Sequence, residues 1–178
     1  MRTPLAKSVP AECCALASEC VSPPRRMGGR LVFMPIHFEH SIDVRCRPEQ
    51  AFGVVDDFGQ TPKWLSRCTR IEADGPHAVG TKLKYDYRDG GRTGTMQGEI
   101  TVRQPSERLT MHYADAMMDV TVDFRIAPRD SGSRLTHAID IAPKTFAAKL
   151  LAPLIGMQVP KQTIAAMEKL RGLLEAAT

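Results

Sequence analysis

From Phe38 onward the chain alternates. Phe38, His40, Ile42 and Val44 interleave with Glu39, Ser41, Asp43 and Arg45, the period of two that marks a half-buried strand. Pro48 then stands where the first turn of a helix tolerates it. Ala51, Phe52 and Val55 recur at helical spacing until Asp56-Asp57-Phe58-Gly59 ends the segment. Thr61-Pro62 opens a second short helix or turn, with Trp64 and Leu65 on its apolar side.

Strand patterns separated by turn signals fill the middle of the chain. A short strand is expected over 68–73 around Ile71, and another over 81–88 with Leu83, Tyr85 and Tyr87 on one face. Asp89-Gly90-Gly91 is a hairpin signal. Residues 92–103 put Met96, Gly98, Ile100 and Val102 on one face, and Gln104-Pro105-Ser106-Glu107 turns the chain. Residues 108–114 carry Leu109, Met111 and Tyr113, and 117–127 carry Met118, Val120, Val122, Phe124 and Ile126. Asp130-Ser131-Gly132 makes the next hairpin, before 133–141 with Leu135, His137, Ile139 and Ile141. A long helix is expected from about Lys144 to Ala177, with Leu150, Pro153, Met157, Pro160, Ile164, Met167 and Leu174 on one stripe. Pro153 and Pro160 should kink or break it, because each removes a donor and crowds the preceding turn.

Hairpin-length links make consecutive strands antiparallel. A one-faced sheet of seven strands must bury its apolar face, and the last helix is the only large element left to cover it. The expected fold class is therefore α+β: a curved seven-stranded antiparallel sheet wrapped around a long C-terminal helix, with two short helices after the first strand.

Composition narrows the classes without changing this picture. Of 178 residues, 43% are hydrophobic and 25% charged, ordinary values for a globular protein of one domain. The net charge is +4. Of this, +3 falls in residues 1–36 and +1 in the rest, so the body lacks the basic stripe of a nucleic-acid binder. The first 36 residues are read as a disordered extension, with Met27 and Met34 as alternative starts; Glu12 and Glu19 spoil any signal-peptide core. The five cysteines (13, 14, 20, 46 and 68) form no CxxC pair. Cys46 and Cys68 read as reduced thiols of a cytoplasmic protein.

The segments SIDVRCRPEQAFGVVDDFGQTPKWL (41–65), GTKLKYDY (80–87), GEITVRQPSERLTMHY (98–113) and GSRLTHAIDIAP (132–143), in this order and spacing, resemble the START-like or SRPBCC superfamily, also called Bet v 1-like or helix-grip. Within it, the chain is similar to the polyketide cyclase/dehydrase and lipid-transport group. The resemblance covers about 37–177, read as the ligand-binding domain 37–178, and implies a cavity between the curved sheet and the last helix.

The side chains that would line such a hollow are read from parity. Gly94 and Gly98 leave volume unfilled, while Met96, Met111, Met118, Met157 and Met167 supply adaptable walls. Tyr85, Tyr87 and Tyr113 present rings with a polar tip. His40 and His137 share inner parity on the first and last strands, neighbours in this fold, and should lie side by side with their rings toward the cavity. Val120, Leu150 and Leu154 complete the candidate ligand-binding set; the first half of the long helix, 146–159, is expected to border the mouth. Three other arrangements are set aside. His37 and His40 point to opposite faces of a strand, Asp56 and Asp57 read as solvated charge at a helix end, and Asp89-Gly90-Gly91 lacks phosphate-loop spacing. The expected function is binding of a hydrophobic or amphipathic small molecule such as a lipid, polyketide or isoprenoid-like compound. One alternative is a polyketide aromatase/cyclase or dehydratase using the same cavity; another is a stress- or toxin-like protein acting through a protein partner. No cofactor, metal, nucleic acid or stable membrane insertion is expected, and the chain reads as a monomer or weak dimer.

Overall fold

A computed structural model describes residues 35–176; the expectations for the first 34 residues lie outside the described range. Strand β1 (Ile36–Val44) leads into helix α1 (Pro48–Asp56), one 3-10 turn (Phe58–Gln60) and the short helix α2 (Thr61–Trp64). Six strands follow: β2 (Cys68–Asp74), β3 (Lys82–Asp89), β4 (Arg92–Gln104), β5 (Arg108–Ala114), β6 (Met118–Arg129) and β7 (Gly132–Pro143). Helix α3 (Phe146–Ala176) comes last. The seven strands form one sheet in the order β1-β7-β6-β5-β4-β3-β2, antiparallel throughout. This is the α+β helix-grip architecture.

Local chemistry explains the punctuation. Gly90 (φ 54°) and Gly91 (φ 84°) form the two-residue loop between Asp89 and its partner Arg92, the left-handed pair that a type I′ hairpin requires. The Gln50 side chain accepts a hydrogen bond from the Arg47 backbone N–H at 3.1 Å, securing the start of α1. Asp57 accepts from the Gly59 N–H at 3.0 Å and shapes the 3-10 turn. Thr145 Oγ1 accepts from the Ala148 N–H at 3.1 Å and caps α3.

The sheet has one wet face and one dry one. Ion pairs between neighbouring strands cover the wet face, including the two-pronged pairs Arg134–Asp43 (2.8 and 2.8 Å) and Arg108–Asp123 (2.8 and 3.2 Å). On the dry face, Ile42, Val44, Leu109, Phe124, Ile126 and Leu135 are buried beneath Ala51, Phe52, Val55 and Trp64 and beneath the second half of α3. That half supplies Ala166, Met167, Leu170 and Leu174.

Helix α3 is one continuous element through Pro153 and Pro160, so neither proline breaks it. Each proline removes a single donor from a 31-residue helix, and buried Val159 and Thr163 pin the turn on either side of Pro160. The expected single apolar stripe is also divided. Met167 and Leu174 are buried, whereas Leu150 and Met157 are 72% and 70% exposed. In its first half the helix turns small residues toward β1. Ala148 is fully buried, and a Cβ added at Gly156 would lie only 3.9 Å from Ile36 Cγ2. With these small residues toward β1, the bulky side chains lie on the outward side.

Candidate functional site

The strand register places the dry-face residues in rows. One row runs Ile36, Ile141, Val120, Tyr113, Gly98 and Leu83; the next runs Phe38, Ile139, Val122, Met111 and Ile100; a third begins His40, His137, Phe124 and Leu109. From the third row toward Val44, α1, α2 and the second half of α3 bury the sheet. Cover thins over the first two rows. Ile36, Phe38, Val120, Val122 and Ile139 are only half-buried, as is Met118 beside them. The result is a half-exposed apolar strip on β1, β7 and β6 beside the first half of α3, termed the trough below. Two surface depressions, of about 410 and about 320 Å³, lie away from this floor, by Asp43, Arg171 and Glu175 and at the rim by Thr69, Tyr87 and Gly94.

The tyrosines form one cluster. Tyr85 stacks on Tyr87 with ring centroids 5.8 Å apart and meets Tyr113 at 5.3 Å. Tyr113 is buried and its hydroxyl donates to Met111 Sδ at 3.3 Å. Burial pushes the Tyr85 and Tyr113 phenols well above the usual tyrosine range. Gly94 and Gly98 do not leave space open, as parity alone suggests. A Cβ on Gly94 would fall 2.5 Å from the Tyr87 ring, and one on Gly98 would fall 2.4 Å from the Tyr113 ring and 2.6 Å from the His112 carbonyl oxygen. The glycines are where the aromatic rings lie down on the sheet.

His40 and His137 are direct cross-strand partners. His137 is 5% exposed and stacks nearly parallel on Phe124, centroids 4.5 Å apart. Its Nδ1 is buried with no hydrogen-bond partner among the described residues, and Trp64 Nε1 shares that condition. Trp64 meets the same Phe124 ring edge-on at 5.9 Å. Burial holds the His137 imidazolium pKa down at about 4, against a smaller opposing pull from Asp123. The imidazole is therefore neutral near pH 7 and offers a hydrogen bond without charge. His40 beside it is half-buried.

The sequence-derived candidates separate by burial. Met96, Met111, Tyr113 and His137 are buried; His40, Tyr85, Tyr87, Met118 and Val120 are half-buried; Leu150, Leu154 and Met157 are exposed on α3. The last three do not join the trough floor, because the helix packs its opposite side on the sheet. Phe38, Val122 and Ile139 belong to the floor although the candidate set lacks them; their parity was the readable signal. Arg67 carried no periodic signal. It donates to Asp89 at the β3–β4 turn and to Gln162 on α3, tying the helix to the hairpin. Asp56 is not solvated charge. Its carboxylate receives two hydrogen bonds from Arg103, at 3.0 and 2.7 Å, and the Arg103 guanidinium lies 5.4 Å from the Phe52 ring centroid.

Several solved structures share this architecture. A START superfamily protein from Mycobacterium smegmatis aligns with a TM-score of 0.67 at 15% identity, over 80% of this chain and 99% of that one. The Zhui aromatase/cyclase from Streptomyces sp. R1128 gives 0.66 at 12% identity, over 78% and 93%. Ara h 8.0201 gives 0.61 at 19% identity, over 78% and 96%. At these identities the likeness is one of fold. None of the curated proteins matches this chain. A family model does match it, over residues 35–175, from the first strand almost to the end of α3. The chain belongs to the polyketide cyclase / dehydrase and lipid transport family.

Proposed function

We propose that this protein binds an apolar or amphipathic small molecule along the trough. One observation carries the reading: the floor residues Phe38, Val120, Val122 and Ile139 are half-exposed, whereas Ile42, Val44, Leu109, Phe124, Ile126 and Leu135 on the same face are buried. Apolar area that folding leaves wet is covered by a ligand at about 25 cal/mol per Å² before association costs are subtracted. The adaptable side chain of Met118 and the Tyr85–Tyr87 pair suit a ligand of variable shape. His40 and His137 supply a polar end, where a ligand hydroxyl or carbonyl meets an uncharged imidazole. The same neutrality ranks binding above cyclisation or dehydration of a poly-keto chain. A histidine with a pKa near 4 is a weak base at neutral pH, though still a competent hydrogen-bonding group.

The test is fluorescence titration with the apolar probe 1-anilinonaphthalene-8-sulfonate, displaced by oleate, on the wild type and on Val120→Trp. Wild-type protein should enhance the probe and release it to oleate. The Val120→Trp indole fills the floor and should weaken probe binding at least tenfold with the melting curve preserved. Absence of enhancement in the wild type, or an unchanged affinity in the folded variant, overturns the reading.

A further inference from the structure

The outward side of α3 has no role in the trough, and its chemistry is unusual for a solvent-facing surface. Phe146, Leu150, Leu154 and Met157 are 81%, 72%, 54% and 70% exposed. Their spacing of four, four and three residues keeps them on one side of a helix. Leu151 (47%) lies on its flank, and Met117 (40%) adjoins the start of α3 through the hydrogen bond from the Lys144 N–H to its carbonyl. Isolated exposed leucines are ordinary; a contiguous row on one helix face marks an interaction surface.

The charges around the row select the partner. Between Lys144 and Met167 the chain has three lysines and no aspartate or glutamate; the first acid is Glu168. Lys144 is paired with Asp119 at 2.9 Å, while Lys149 and Lys161 have no carboxylate partner among the described residues. Lys161 stands one turn beyond Met157, on the same side of the helix. The carboxylates at this end of the sheet are engaged elsewhere: Asp140 with His37 at 2.7 Å, Asp119 with Lys144, and Asp115 with the backbone N–H groups of Met117 and Met118. An apolar helix face edged, among the described residues, by unpaired cations and by no anion of its own helix before Glu168 fits the surface of an anionic lipid bilayer, where the side chains enter the acyl boundary and the ammonium groups meet the headgroups. No helix among the described residues is long and apolar enough to cross a membrane, so the contact lies in the membrane plane.

We propose that the exposed face of α3, from Phe146 to Lys161, is a docking surface for anionic membranes. The opposite side of the same helix packs on β1, with Ala148 and Val159 buried, so docking needs no unfolding. The surface stands independently of what occupies the trough.

The full chain is tested by flotation with vesicles of phosphatidylcholine alone and of phosphatidylcholine mixed with phosphatidylglycerol, at low and high salt. The wild type should float with the mixed vesicles and release as salt rises. The triple variant Leu150→Gln, Leu154→Gln, Met157→Gln should lose at least tenfold in partitioning with an unchanged melting curve, since all three side chains are already in water. Lys149→Gln with Lys161→Gln should lower partitioning to mixed vesicles roughly thirtyfold, about the contribution of two surface lysines, and leave the neutral vesicles unaffected. The trough-filled Val120→Trp variant should float like the wild type, which separates docking from lipid capture in the trough. Failure of the wild type to float, or undiminished flotation of the triple variant, overturns the proposal. So does a dimer in light scattering that the triple variant abolishes while vesicles bind neither protein; the face would then be a contact between copies.

Discussion

Replacing His137 by leucine should change how stability depends on pH, and the structure sets the size. In the unfolded chain the imidazole titrates near 6.5; in the fold, burial against Phe124 lowers it to about 4. The folded-state pKa is depressed, so the unfolded state binds more protons between these values, and stability falls as pH falls through that window. Above about pH 7 both states hold a neutral ring and the term vanishes. At about pH 5 the unfolded chain gains about 2 kcal/mol from protonation that the fold refuses, rising to about 3 kcal/mol near pH 4. His137→Leu deletes this term and also the unpartnered Nδ1, whose burial costs ~1–3 kcal/mol. Urea unfolding of both proteins at about pH 7.5 and about pH 5 checks it. The variant should match or exceed the wild type at the higher pH, and its advantage should grow by about 2 kcal/mol at the lower one. Other titrating groups are common to both proteins and cancel. Parallel loss of stability in the two proteins would refute the argument and place the His137 ring in water.

Three further outcomes follow from the packing. Gly98→Ala should cost about 1–3 kcal/mol in thermal or urea unfolding, because the new methyl group meets both the buried Tyr113 ring and the His112 carbonyl oxygen; a variant as stable as the wild type would show that the ring is loosely held. Asp56→Ala should cost about 1–3 kcal/mol by stranding half-buried Arg103, and adding Arg103→Ala should cost little more, a double-mutant cycle that additive losses would contradict. Burial pushes the Cys68 thiol up to about 12, so site-resolved labelling with a disulfide reagent at neutral pH should be far slower at Cys68 in the folded protein than in urea; equal rates would contradict its burial.

The strands were legible because alternation is a local property. The register His40↔His137 followed from parity together with the expected adjacency of the first and last strands. The tight loop at Gly90-Gly91 announced itself through residues that alone enter left-handed backbone cheaply. What escaped depended on neighbours distant in the chain. Nothing near Gly98 shows that Tyr113 lies over it, since that ring comes from the next strand, fifteen positions on. The pairing of Asp56 with Arg103 spans 47 positions. The outward turn of Leu150, Leu154 and Met157 was hidden for another reason. Apolar periodicity identifies a helix face but not which side meets the sheet, and here the small residues Ala148 and Gly156 occupy that side. The trough was half legible: its floor obeys parity, while its openness depends on where α3 stops covering the sheet.

The pairing of the first strand with the last has a consequence for biosynthesis. Ile36 bonds opposite Ile141, and Val44 opposite Ser133, so β1 leaves the ribosome about 90 to 105 residues before the strand that completes its ladder. The β2–β7 meander can zip by successive hairpins, but β1 must wait unpaired until Pro143 has emerged, and closing so long a loop is slow. During that interval, about 100 residues of synthesis from Val44 to Pro143, both β1 and the apolar face of the nascent sheet are open to other chains, which makes it the window in which this protein most needs a chaperone.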